Sequence, residues 1–317
     1  MAVNGPDHYT YLVGLGTLYL AARLTSDEGD DERRKKKRRV IREKADLLKA
    51  TFPDQVGKAF DTRQLTSTPA LRLLQAEEWK EDAAKTFLID LAFTHPFAPY
   101  ELKYKQDDFW DTLKNLAPSL GQPTSEVDAI REIQKDAIRS HRSLDLKKIM
   151  IFGVVGLLVV GTGGYLAAPL IAGYLGASAG LAGAAATAHG LALLGGGTLA
   201  AGGAGMAGGM AVVTGAGAFA GFAAASGGTL LMQMGAAQAR TELIKLQVSY
   251  KAVLLQNQLH LKKAQEVVKD LARQEKEVRA QLARERQMND KNAVRIKELE
   301  VLIEAIEESR KWMKEQS

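Results

Sequence analysis

Cysteine is absent from all 317 residues, which removes disulfides, thiolate nucleophiles and thiolate metal sites together. A second absence is local. Between Lys148 and Arg240 lie 91 residues without one Asp, Glu, Lys or Arg, although charged residues make up 25% of the chain. An ordinary solvated surface does not leave such a gap. Nothing in the chain reads as a strand ladder, so an all-α fold is expected. Nor does either flank have the basic excess of a dedicated nucleic-acid binder. Up to Lys148 there are 25 basic and 24 acidic residues, and from Arg240 onward 17 and 13.

The motifs of common enzyme chemistry are missing as well. No stretch matches the phosphate-cradling GxxxxGK[ST] loop. In "VVGTGGYLA", Gly161 and Gly163 fit the first two glycines of a dinucleotide fingerprint. Leu166 takes the third place, and no acid follows before Glu242. His8, His95, His141, His189 and His260 are scattered, without HExxH or other ligand spacing. His189, alone in the charge-free run, suits helix packing or a turn better than pH sensing. No catalytic group, cofactor or metal site is expected. At the N-terminus, "HYTYLVGLGTLYLAA" follows Asp7 rather than a basic segment and is short for a membrane span. It reads as a buried helix rather than a secretory leader, with a membrane-dipping helix as the alternative.

What is present divides the chain into three: residues 1–146, 147–239 and 240–317. The first part reads as a helical domain. Thr25 and Glu28 have capping-box spacing ahead of a charged helix that stops before Pro53. Thr68–Pro69 starts a helix, and "ALRLLQAEEWKEDAAKTFLIDLAF" runs amphipathically until Pro96. "DDFWDTLKNL" is a short helix, and "SEVDAIREIQKDAIRSH" follows Pro123 with apolar residues at helical spacing. The basic run Arg33 to Arg39 has acids four residues before Arg34, Lys35 and Lys36. That spacing suits a solvated helix face, with anionic lipid or nucleic acid as alternative partners.

The middle part holds 24 of the chain's 30 glycines. "IMIFGVVGLLVVGTGGYLAAPLIAGYLG" is long enough to cross a hydrocarbon layer, which takes roughly 20 helical residues. In lipid the cost of unpaired backbone enforces helix, so glycine's helix penalty matters less. Small residues then let helices approach closely. Gly176 and Gly180, Gly205 and Gly209, and Gly217 and Gly221 each form GxxxG and are the candidate helix-packing sites. Lysines precede the run and basic residues follow it, which favours an even number of spans with both termini cytoplasmic.

In the tail, a 3-4 alternation starts at Leu261 and passes through Ala264, Val268, Leu271, Val278 and Leu282. It resumes through Ile296, Leu299, Ile303 and Ile306. Between them lies "RERQMNDKN", so the tail is either a helical hairpin turning near Asn289 or one long helix with a polar break.

The stretch beginning "GTGGYLAAPLIAGYLGASAGLAG" resembles the glycine-rich membrane segments of the transmembrane-and-coiled-coil family over about residues 149 to 235. It is also similar in style to the small glycine-rich proteins induced by interferon. Related bacterial segments fused to soluble helical modules imply membrane-acting effectors. The resemblance therefore implies a lipid-membrane partner, a homo-oligomer and permeabilisation of the membrane, with anti-phage defence as a setting. The hydrolase part of some transmembrane-and-coiled-coil proteins has no counterpart here. A partner or sensor contact through the N-terminal part or the tail is expected as well. A non-pore membrane scaffold and a soluble helical protein that releases its hydrophobic module are the alternatives.

Overall fold

The computed structural model describes residues 5–52, 67–98, 100, 102–141, 231, 236–256, 258–288 and 293–317. Among these residues every regular element is helical. The Gly/Ala-rich module, with its six candidate packing glycines, lies outside the described residues except for Leu231 and the start of the helix at Ala236. Among the described residues no helix is long and apolar enough to cross a membrane.

Helix α1 (Gly5–Ser26) is the hub of the N-terminal part. It is apolar all the way round, and every residue from Tyr11 to Ala22 is buried. A helix without a polar face has nowhere stable to sit in water except inside a core. This is the buried helix expected from its sequence. Around it pack α2 (Asp31–Thr51), α3 (Ser67–Gln75), α4 (Glu81–Ala92) and α5 (Gln106–Leu116). A short 3-10 turn, Ala117–Leu120, leads through Pro123 to α6 (Thr124–Arg139). Val127 and Ile130 of α6 are buried, with Ile133 and Ile138 partly so.

Two local expectations are corrected. The cap of α2 is Asp30, whose carboxylate accepts from the Arg33 backbone N–H at 2.8 Å. Thr25 instead belongs to the last turn of α1, where its hydroxyl donates to the Ala21 carbonyl. An aspartate beside the first turn satisfies a free N–H and also favours the helix dipole. The long amphipathic stretch is two helices rather than one. Trp79 turns inward between α3 and α4, its indole N–H donating to the Leu74 carbonyl at 2.9 Å and its ring lying 4.7 Å from that of Phe87. Burying that ring outweighs continuing the helix through residues 76–80. On α2, the ion pairs Asp31–Arg34 and Glu32–Lys35 form at i,i+3 rather than i,i+4.

After the module the chain resumes as α7 (Ala236–Ser249), extended by a π turn at Tyr250–Leu254. Helix α7 is the second hub: it packs on α4 and α6 of the first part and on the last helix of the tail. The tail is a hairpin of α8 (Leu261–Met288) and α9 (Ala293–Gln316). Its antiparallel register is marked by the pairs Glu275–Arg310, Arg279–Glu307 and Arg286–Glu300. Of the expected seam, Leu271, Val278, Leu282, Leu299, Ile303 and Ile306 are buried, and Val268 and Ile296 partly so. Leu261 is 44% exposed, so the packed seam begins at Ala264. Apolar side chains from both flanks of the module join in a single core cluster.

Glycines 14 and 16 of α1 show how closely its neighbours approach. A methyl group at Gly16 would stand 2.8 Å from both Leu91 methyls and from Phe87 Cζ. At Gly14 it would meet chiefly one flexible methyl of Leu48. Alanine gains about 1 kcal/mol of helix propensity over glycine, whereas overpacking a core costs about 1–3 kcal/mol. Gly16→Ala is therefore expected to lower unfolding stability by about 1–2 kcal/mol, with Gly14→Ala within about 1 kcal/mol of the parent. Denaturant unfolding of the two variants checks the difference.

Candidate functional site

Two polar constellations tie α7 to the rest of the body. The first joins three helices. Asp90 of α4 sits in "FLIDLAF", a lone charge among apolar residues, and Lys245 of α7 in "ELIKLQV", three residues after Glu242. They form an ion pair whose side chains are both 4% exposed. The Tyr9 hydroxyl of α1 donates to Asp90 Oδ2 at 2.5 Å. Burial pushes the Tyr9 hydroxyl well above its usual range, and the Asp90 charge adds to that. For Lys245, burial pulls downward, but Asp90 and Glu242 outweigh it and the amine stays charged. Burial raises the Glu242 carboxyl, partly offset by Lys245.

The second constellation lies where the chain leaves for the module and where it returns. His141 follows the last turn of α6, and Arg240 and Gln247 lie on α7. The His141 side chain is completely buried. Its Nε2 is 2.8 Å from Gln247 Oε1, and Gln247 Nε2 donates to Ser140 Oγ at 3.1 Å. From α9 come Ser309, with Oγ 3.4 Å from both His141 Nε2 and Gln247 Oε1, and Glu308, with Oε2 3.1 Å from His141 Nδ1. One turn earlier Glu304 pairs with Arg240 at 3.5 Å, and one turn later the Trp312 indole donates to Asp136 at 3.0 Å. Burial lowers the His141 pKa, and the Gln247 and Glu308 contacts only partly restore it.

Serine, histidine and glutamate stand here in the order of a hydrolytic relay. Their surroundings argue against that chemistry. Ser309 is wholly buried in mid-helix, and Gln247 takes the shortest contact to the ring nitrogen a nucleophile would need. A neighbouring cleft of about 340 Å³ is bordered by Ser140, Glu304, Glu308 and Trp312, but by neither Ser309 nor His141. Among the described residues no three metal-binding side chains converge. Comparison of the chain with family models, curated proteins and solved structures yields no match.

Neither constellation was found in the sequence. A charge within each of two apolar runs, of opposite sign, was the available signal for Asp90 and Lys245. His141, Gln247 and Ser309 left none, because one polar residue on an apolar face has no spacing to recognise.

Among the described residues a third buried group finds no hydrogen-bond partner. Lys44 of α2 places its Nζ in the core without a hydrogen bond, and burial pulls its pKa down to about 7. Burial and the nearby Lys44 charge together hold His95 down to about 4.

These sites generate two predictions. Removing one member of a buried ion pair strands the other, at about 3–5 kcal/mol, while replacing both with apolar groups is close to neutral. Lys245→Met alone should cost about that much, and the double change Asp90→Leu, Lys245→Met should recover most of it, as read by denaturant unfolding. For Lys44, the unfolded chain holds its proton up to the ordinary lysine range while the native chain releases it near 7. The unfolded state thus binds more protons between these values, so stability rises with pH. We expect a gain approaching about 1.4 kcal/mol per pH unit from pH 7 to 9, abolished by Lys44→Met. Unfolding curves across that range measure it.

Proposed function

We propose that this protein is a membrane-acting effector that oligomerises through its Gly/Ala-rich module and permeabilises or depolarises a membrane. The 91-residue charge-free run is the sequence basis for the reading. The observation that carries it further is the contact of His141 and Ser140 with Gln247. Gln247 lies eleven residues into the stretch that begins at Ala236, so the two stems of the module are fastened within roughly 16 Å of each other. A chain that leaves a folded body and returns to the same place has both ends on one side of any bilayer it enters. Its crossings are then even in number. That agrees with basic residues at both ends of the run, which favour a cytoplasmic location for both stems.

In this reading the helical body does not cross the membrane but holds the stems, and the tail hairpin braces the returning one. Gly205, Gly209, Gly217 and Gly221 let neighbouring helices approach, within one chain or between copies. Gly209→Leu and Gly217→Leu test that function, because leucine keeps helix propensity and hydrophobicity and adds only bulk. Membrane association should persist while cross-linked oligomers and dye release from liposomes fall to background at matched bound protein. Leakage and oligomers equal to the parent's would refute the close-packing mechanism. Bound protein that never releases dye would identify a passive anchor.

A further inference from the structure

Helix α2 holds the chain's basicity. It carries ten Lys and Arg against four Asp and Glu, a formal excess of six, while the whole chain has an excess of five. The acids gather at one end, where Asp30, Asp31 and Glu32 engage Arg33, Arg34 and Lys35. Further along, Glu43 serves both Arg39 and the Tyr100 hydroxyl. Arg38, Arg42 and Lys49 are exposed and make no ion pair among the described residues. Spaced four and then seven residues apart, they fall on one helical stripe about 16 Å long. Lys35 and Arg39 flank that stripe, and Asp46 is an exposed acid beside it. Like charges such as Arg38 and Arg42 at i,i+4 destabilise a helix, so in the free protein the stripe costs stability.

The place of α2 in the body gives the stripe a use. Helices α4 and α6 run side by side in the same direction, since Lys85 is 3.9 Å from Glu126 and Gln134 Nε2 donates to the Ala92 carbonyl at 3.3 Å. Their C-terminal ends therefore share one end of the body, and from α6 the outgoing stem leaves there. Helix α2 packs on the chain that follows α4 at that same end. Lys37 Nζ lies 5.0 Å from the centre of the Phe97 ring, and the Tyr100 hydroxyl donates to Glu43 Oε2 at 3.1 Å.

We infer that the outward face of α2 is a docking surface for an anionic lipid bilayer. It seats the body by charge on the membrane that the module enters, and in that choice of partner it rests on the membrane reading above. Helix α2 has no aromatic side chain, which denies nucleic acid a stacking platform. Its outward stripe offers charge without a large apolar anchor, so the attachment is electrostatic and salt-sensitive.

The purified full chain tests this by co-sedimentation with vesicles of phosphatidylcholine alone or with a third of the lipid replaced by phosphatidylserine. Each Lys or Arg held near such a surface strengthens binding about fivefold. Arg38→Gln, Arg42→Gln and Lys49→Gln together should weaken binding to the anionic vesicles about 100-fold and leave binding to phosphatidylcholine unchanged. Lys262→Gln, Lys269→Gln and Lys276→Gln remove the same charge from exposed positions of α8, and should cost less than about fivefold. In the parent chain the preference for anionic vesicles should disappear between about 0.1 M and about 1 M KCl, as the screening length falls from about 10 to about 3 Å. An equal loss in the α8 variant makes net charge the cause and overturns the docking face. So does parent binding that ignores phosphatidylserine or salt. Retention of duplex DNA that the α2 changes abolish, without any vesicle preference, makes nucleic acid the partner and overturns it too.

The docking face and the effector reading fail separately. Salt-sensitive binding to anionic vesicles without dye release keeps the face and removes the effector. Dye release that is equal from both kinds of vesicle and unaffected by the α2 changes does the reverse.

Discussion

Asp90 is the point on which the body's arrangement turns. Its carboxylate accepts from Tyr9 on α1 and pairs with Lys245 on α7, and its own helix α4 lies between those two hubs. An isolated carboxylate in such a place would carry a large desolvation cost, so the three helices must meet in one relative position to satisfy it. Apolar packing alone tolerates sliding by fractions of a turn, whereas a buried ion pair with a hydroxyl donor does not. The pair therefore adds less to net stability than to register, setting where α7 docks. Since α7 is the returning stem, it also sets where the chain comes back from the module.

The same division between apolar mass and polar placement explains what could be read from the sequence. Helix α1 was legible because twelve successive buried residues, Tyr11 to Ala22, need no register information to declare a core helix. The hairpin seam was legible because Leu271, Val278, Leu299 and Ile306 repeat at helical spacing. The break at residues 76–80 was not, because it depends on Trp79 finding Phe87 and the Leu74 carbonyl, which are tertiary events. Leu261 continued the pattern on paper but stands at the start of α8, where it stays 44% exposed. The joint around His141 was the least legible feature. Its partners Gln247 and Ser309 each lie more than 100 positions from His141 in sequence, and only folding gives them a common address.

Glycine use separates the two halves of the problem. Outside the charge-free run the chain has six glycines, and two of them, Gly14 and Gly16, sit in one helix where a methyl would collide with packed side chains. There water-driven burial supplies the force and glycine only supplies room. If the run enters lipid as proposed, the logic of room is the same there, but burial of apolar surface no longer draws helices together, so contact must come from packing itself. On the proposed membrane reading, the density of glycine in the run suits that weaker driving force. On the same reading, a body made by ordinary core packing would hold the stems while the run between them associates through closer contacts.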